Sequence, residues 1–236
     1  MLAQRLNDTL QRLENVALEA RRPTPRLIAV SKTRSAMEIA ALAGAGQRFF
    51  GENYVQEAQA KIAEVGDLGL EWHLIGHLQS NKAELAATLF DWVHTVDRIK
   101  VVAPLARYRP PEREPLNVLI QVNIDGEASK HGCPPLDLPP LMSAVLAQPR
   151  LRLRGLMAIP APHPRLEDRR IAYRRMKTLF DALADWSTAV HHAQVDTLSM
   201  GMSEDYAMAV AEGATMVRIG SALFGARAPS PPQTLH

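Results

Sequence analysis

Lys32 stands where an apolar strand should end. The run Leu27-Ile28-Ala29-Val30 has no charge and reads as a buried strand, and Lys32 follows it two positions on, before a helix that starts near Ser35. An amine at the lip of a core is kept neutral by desolvation and a nearby cation, and a neutral amine attacks a carbonyl carbon. Two later segments offer complementary chemistry. "SMGMS" (Ser199 to Ser203) and "RIGSALFG" (Arg218 to Gly225) join glycines, which let backbone N–H groups approach an anion, to serine hydroxyls that donate to it. Ser199, Gly201, Gly220 and Ser221 are the candidate anion cradle, with a helical turn from Ser221 aimed at the same place. Either segment alone is ordinary turn composition.

These groups need elements to bring them together. Leu2, Leu6, Leu10, Leu13, Val16 and Leu18 follow the helical period and predict a helix to about Ala20, broken by Arg21 to Pro25. The chain then alternates. "LIAVS", "RFFGE", "EWHLIG", "DWVHTV", "LNVLIQVNI", "LRGLMAI", "VDTLSMG" and "TMVRIG" read as strands. Helical segments separate them, including Asn53 to Val65, a long one from Arg165 to Trp186 and Ser203 to Glu212. Short apolar strands of this kind are parallel and buried on both faces. Eight such units in 236 residues predict a (β/α)8 TIM-type barrel with an extra N-terminal helix, the alternative being a doubly wound sheet. One domain over 1–227 and a disordered Pro-rich tail over 228–236 are expected. In a barrel the polar loops after the strands form one face, which collects Lys32, "GENYVQE", "GHLQSNK", "DGEASKHGC" and the two cradle segments.

Strand alternation decides one further residue. In "TMVRIG", Met216, Arg218 and Gly220 share a face opposite Val217 and Ile219, so Arg218 points into the barrel and must find an acceptor. An aromatic ring nitrogen is one candidate. An amine at the first strand, an anion cradle at the last two and an inward arginine together suggest pyridoxal 5′-phosphate (PLP), with Lys32 forming the Schiff base. Without the cradle and Arg218, a strand-end lysine reads as an ion-pair partner.

Other chemistry-bearing residues read as structural. His73 and His77 lack a third metal ligand at convincing spacing, so no metal site is expected. His191 and His192 are adjacent, Cys133 has no triad around it, and the methionines, Met200 and Met202 among them, fill core and loops. Arg169, Arg170, Arg174, Arg175 and Lys177 form a basic face on the long helix, read as solvated rather than RNA-binding.

Taken together, "AVSKT", "FGENYVQE", "WHLIGHLQSNK", "VNIDGEASKHGC", "GLMAI" and "LSMGMSEDY…AEGATMVRIGSALFGAR" resemble the pyridoxal-phosphate homeostasis proteins, from about Leu27 to Arg227. That resemblance implies a single barrel like the N-terminal domain of alanine racemase. It implies PLP on Lys32, phosphate held by Ser199, Gly201, Gly220 and Ser221, Arg218 against the pyridine nitrogen, and Asn53 near the ring. Ser221 stands where the family often has threonine, which keeps the hydroxyl. Asp125 and His131 replace small polar residues common in their loop, and no site is expected there.

An arginine beside the pyridine nitrogen opposes its protonation and weakens the ring as an electron sink. Racemases with this feature use two opposed bases, the second from another domain, and a chain that ends with its barrel is expected to lack it. A non-catalytic carrier or buffer that supplies PLP to apo-enzymes is therefore the expectation. The alternatives are a small PLP-dependent amino-acid racemase and a PLP-responsive sensor for a protein or RNA partner. Lys82 and Lys130 lie on the same face as further amines open to PLP. A net charge of +2 calls for neither nucleic acid nor an acidic membrane. No apolar run nears the ~18 residues of a membrane span. A single cysteine fits a reducing compartment, and the N-terminus does not read as a signal peptide, so a cytoplasmic location is expected.

Overall fold

The structure is a computed structural model that describes residues 1–127, 130–161, 165–191 and 194–225. The strands are β1 (Arg26–Val30), β2 (Phe49–Glu52), β3 (Glu71–Leu74), β4 (Trp92–Val96), β5 (Leu116–Gln121), β6 (Leu151–Met157), β7 (Thr197–Met202) and β8 (Met216–Ile219). All pair in parallel with their sequence neighbours. β8 returns to β1, with Leu27 opposite Val217 and Ala29 opposite Ile219, and closes the barrel. Closure excludes the doubly wound alternative. The tail expected over 228–236 lies outside the described residues, as does His192.

Side-chain alternation divides the core in two. Ile28, Trp92, Leu119, Met157 and Met216 fill the barrel interior. Leu27, Ala29, Val217, Ile219 and their counterparts face outward and pack under the helices. These helices are α1 (Leu2–Glu19), α2 (Ala36–Gly44), α3 (Val55–Val65), α4 (Ala83–Leu89), α5 (Val102–Arg107), α6 (Leu138–Leu146), α7 (Leu166–His191), α8 (Tyr206–Ala211) and α9 (Ser221–Phe224). α2 starts at a capping box: Ser35 Oγ accepts from the Glu38 N–H at 3.2 Å, and the Ser35 N–H donates to Glu38 Oε2 at 2.9 Å.

The last barrel helix is a single turn, too short to cover the β8–β1 seam. α1 takes that place. It buries Leu6, Thr9, Leu13 and Ala17 as one stripe and packs against α2, α8 and α9. The basic face expected on α7 is largely neutralised. Arg169 pairs with Asp205 at 2.9 Å, Arg170 and Arg174 with Glu212 at 3.3 Å, and Lys177 with Asp181 at 2.6 Å.

Two helices start later than their spacing predicts, and both delays shape the mouth of the barrel. α3 begins at Val55 rather than Asn53, so Asn53 stays in the loop. There Gly76 permits close approach, since a Cβ on it would stand 2.1 Å from the Asn53 carbonyl oxygen. α8 begins at Tyr206 rather than Ser203. Asp205 Oδ1 accepts from the Met202 N–H at 2.7 Å and holds Ser203 in a turn.

Candidate cofactor-binding site

At the C-terminal rim of the strands lies a cavity of about 260 Å³. Lys32, Arg34 and Arg218 line it with Asn53, Ser203 and Ser221, and no carboxylate lines it among the described residues. Two guanidinium groups and an amine around one small space make an anion receptor.

A network beneath the mouth fixes the segment that presents Lys32. Lys61 Nζ donates to the Ser31 carbonyl at 2.6 Å, to Glu52 Oε1 at 2.8 Å and to Glu57 Oε1 at 2.7 Å. Ser31 Oγ donates to the same Glu52 oxygen at 2.6 Å. Burial pushes the Glu52 carboxyl above its usual range, opposed by its bonds to Lys61 and Ser31. Next to Lys32, Thr33 holds φ at 63°. That left-handed conformation is costly for a β-branched residue. The Thr33 N–H donates to Glu57 Oε1 at 2.5 Å and secures it.

Arg218 points inward, as alternation predicts. Its Nη1 donates to Ser199 Oγ at 2.7 Å and its Nη2 to the Ala158 carbonyl at 3.0 Å. Burial lowers its guanidinium to about 10, with Tyr173 and Asp205 opposing, so it is charged at neutral pH. No carboxylate forms an ion pair with it among the described residues.

From Arg218 a polar column runs down the barrel. His94 Nδ1 is 3.1 Å from Ser199 Oγ, His94 Nε2 is 2.9 Å from His73 Nδ1, and His73 Nε2 is 3.0 Å from Glu71 Oε1. Donor counting assigns the protons. Ser199 accepts from Arg218, so its O–H goes to His94 Nδ1. His94 then carries its proton on Nε2 and donates to His73, whose remaining N–H faces Glu71. Both imidazoles are neutral. Desolvation lowers each, His94 well below 6.5, with His73 and Arg218 adding to its shift.

The structure therefore separates the expected cradle. Gly220 and Ser221 line the cavity. Ser199 does not; it is fully buried and held between Arg218 and His94. Gly201 sits in a bulge where β7 shifts register against β8 between Ser199 and Met202. Its φ of 91° and the 2.6 Å that would separate a Cβ from Ala209 Cβ require glycine. Beyond the bulge Met202 and Ser203 reach the cavity, and Ser221 Oγ donates to Ser203 Oγ at 3.3 Å. Ser203 and Arg34 are the residues that spacing alone misses.

Comparison with known proteins sets this geometry in a family. The alanine racemase N-terminal domain family matches residues 4–228. The pyridoxal phosphate homeostasis protein of Pseudomonas aeruginosa is 49% identical over 228 residues, covering 96% of both chains. That of Escherichia coli is 52% identical over 204 residues, covering 85% of both. The chain belongs to the pyridoxal phosphate homeostasis protein family. A solved structure similar to it is PipY of Synechococcus elongatus with PLP bound, with a TM-score of 0.83 and 37% identity, covering 95% of this chain and all of that one. Alanine racemase of Corynebacterium glutamicum, at 18% identity and a TM-score of 0.61, shares the fold and extends beyond it, since 62% of that chain is covered.

Within this family fold the remaining candidates fall into place. His73 belongs to the column, while His77 meets Asp97 and His131, a grouping across three loops that linear spacing does not reveal. Cys133 is buried, and burial raises its thiol to about 12, so it is unreactive at neutral pH. No helix among the described residues is long and apolar enough to cross a membrane.

Proposed function

We propose that this chain binds PLP as a Schiff base on Lys32 and acts as an intracellular carrier or buffer of the cofactor, without catalytic turnover. The observation that carries the reading is the cavity itself, lined by two arginines and a lysine and by no carboxylate among the described residues. Its relatives are named for PLP homeostasis, and PipY holds PLP. PLP, when bound, would supply an aldehyde, and Lys32 is the amine that would hold it. Ser203, Ser221 and the Gly220–Ser221 backbone would hold the phosphate, Arg34 would add charge at the same mouth, and Asn53 would lie near the ring. Ser199 acts one step back by fixing Arg218, which would pair with the pyridine nitrogen.

Arg218 supports the non-catalytic reading. A charged guanidinium paired with no carboxylate opposes protonation of the ring nitrogen it faces, so the ring cannot draw off a substrate's electrons strongly. Delivery to apo-PLP enzymes is the corresponding role.

Purified protein with PLP should show the absorbance band of a lysine adduct, and tryptic mapping after borohydride reduction should find the label on Lys32. Lys32→Ala should abolish both. A label only on Lys82 or Lys130 would overturn the assignment. Exchange of solvent deuterium into the α-position of any amino acid at useful rates would replace the carrier with a racemase-type enzyme.

A further inference from the structure

A second constellation sits on the same rim, outside the residues that line the cavity. His77 follows β3, Asp97 follows β4, and His131 lies in the loop after β5. One ligand atom from each lies within 4.8 Å of the other two. His77 Nδ1 is 3.4 Å from Asp97 Oδ2. The rings of His77 and His131 stack with centroids 3.7 Å apart and planes 13° from parallel. The buried Nδ1 of His77 has no hydrogen-bond partner among the described residues. The other oxygen of Asp97 is 2.5 Å from Arg98 Nη1, which fixes the carboxylate and leaves Oδ2 turned toward the imidazoles.

We propose that His77, Asp97 and His131 form a binding site for a divalent transition ion of the zinc class. Two imidazoles and one carboxylate match the donor preference of zinc, nickel or cobalt and not that of magnesium or calcium, which take oxygen ligands. Metal–ligand bonds of about 2.0–2.2 Å in a tetrahedral site set donor atoms roughly 3.3 Å apart. The present spacing reaches that with a modest contraction. His131 is exposed, so its ring is free to unstack and turn its lone pair toward the ion. The carboxylate offsets part of the ion's charge, and Arg98 orients the carboxylate as outer partners of metal ligands commonly do. Three protein ligands leave a fourth position open to solvent.

The test is calorimetric titration of the untagged, PLP-free full-length chain with zinc chloride, and separately with magnesium chloride. The expected result is one equivalent of zinc bound, no magnesium bound, and affinity reduced at least about tenfold by His131→Ala. His131 is exposed, so that variant keeps its fold. His77→Ala should show a similar loss, and Lys32→Ala should bind zinc as the parent does. Cobalt added to the parent should give the intense visible band of a four-coordinate ion, absent in His131→Ala. No saturable zinc binding, or equal binding by the parent and His131→Ala, would overturn the proposal. So would loss of zinc binding in Lys32→Ala alone, because the ion would then be held at the cavity.

Discussion

Two serines four positions apart should fail in opposite ways. Ser199 Oγ accepts from the buried Arg218 guanidinium at 2.7 Å and stands 3.1 Å from His94 Nδ1. Ser199→Ala removes both contacts. A hydrogen bond to a charged group contributes about 1.5–3 kcal/mol, and a buried imidazole nitrogen left unpaired costs a further ~1 kcal/mol. The expected loss is roughly 3 kcal/mol, which in a chain of this size lowers Tm by roughly 6–12 °C. Ser203 lies at the cavity, and among the described residues its side chain bonds only the Ser221 hydroxyl, at 3.3 Å. Ser203→Ala should therefore leave stability within about 0.5 kcal/mol. One charge-assisted bond to phosphate is lost instead, which weakens PLP binding about tenfold or more. Urea unfolding of the PLP-free chains and PLP titration followed by absorbance measure the two effects separately. If Ser199→Ala unfolds at the parent's midpoint and loses PLP affinity, Ser199 is itself a phosphate ligand and the column is misassigned.

Buried neutral His73 and His94 are both depressed from 6.5, so the unfolded chain binds more protons below that value. Stability should be fully present above pH 6.5 and fall as pH drops below it, by up to about 1.4 kcal/mol per pH unit per histidine. His94→Gln should flatten that slope by one proton in urea titrations between pH 5 and 7. Lys61→Met strands the buried Glu52 carboxylate and should cost about 3–5 kcal/mol in the same assay. Adding Glu52→Leu should recover part of that loss. Gly201→Ala meets both the positive φ and Ala209, so thermal unfolding should show a loss of about 1–3 kcal/mol.

Strand alternation suffices to turn Arg218 inward and to bring Lys32 to the rim, because both follow from a period of two and from which end of a barrel strand is exposed. The same alternation in "DWVHTV" puts His94 on the face of Trp92, inside the barrel, so the column was open to discovery. Ser203 was not. The bulge at Gly201 swaps which serine of "SMGMS" reaches the cavity, and a register shift between two strands leaves no mark in the composition of either. Nor does the meeting of His77, Asp97 and His131, which depends on how far three separate loops lean toward one another.

Because the helix after β8 is a single turn, α1 covers the β8–β1 seam and joins α2 near the start of the barrel to α8 and α9 near its close. The stripe of Leu6 and Leu13 gains its full cover only when α8 and α9 join α2 around it. Joining β1 to β8 is then a slow, long-range event that comes last. A truncation that removes α9 should take away one of the three helices that hold α1 and expose the seam to other chains.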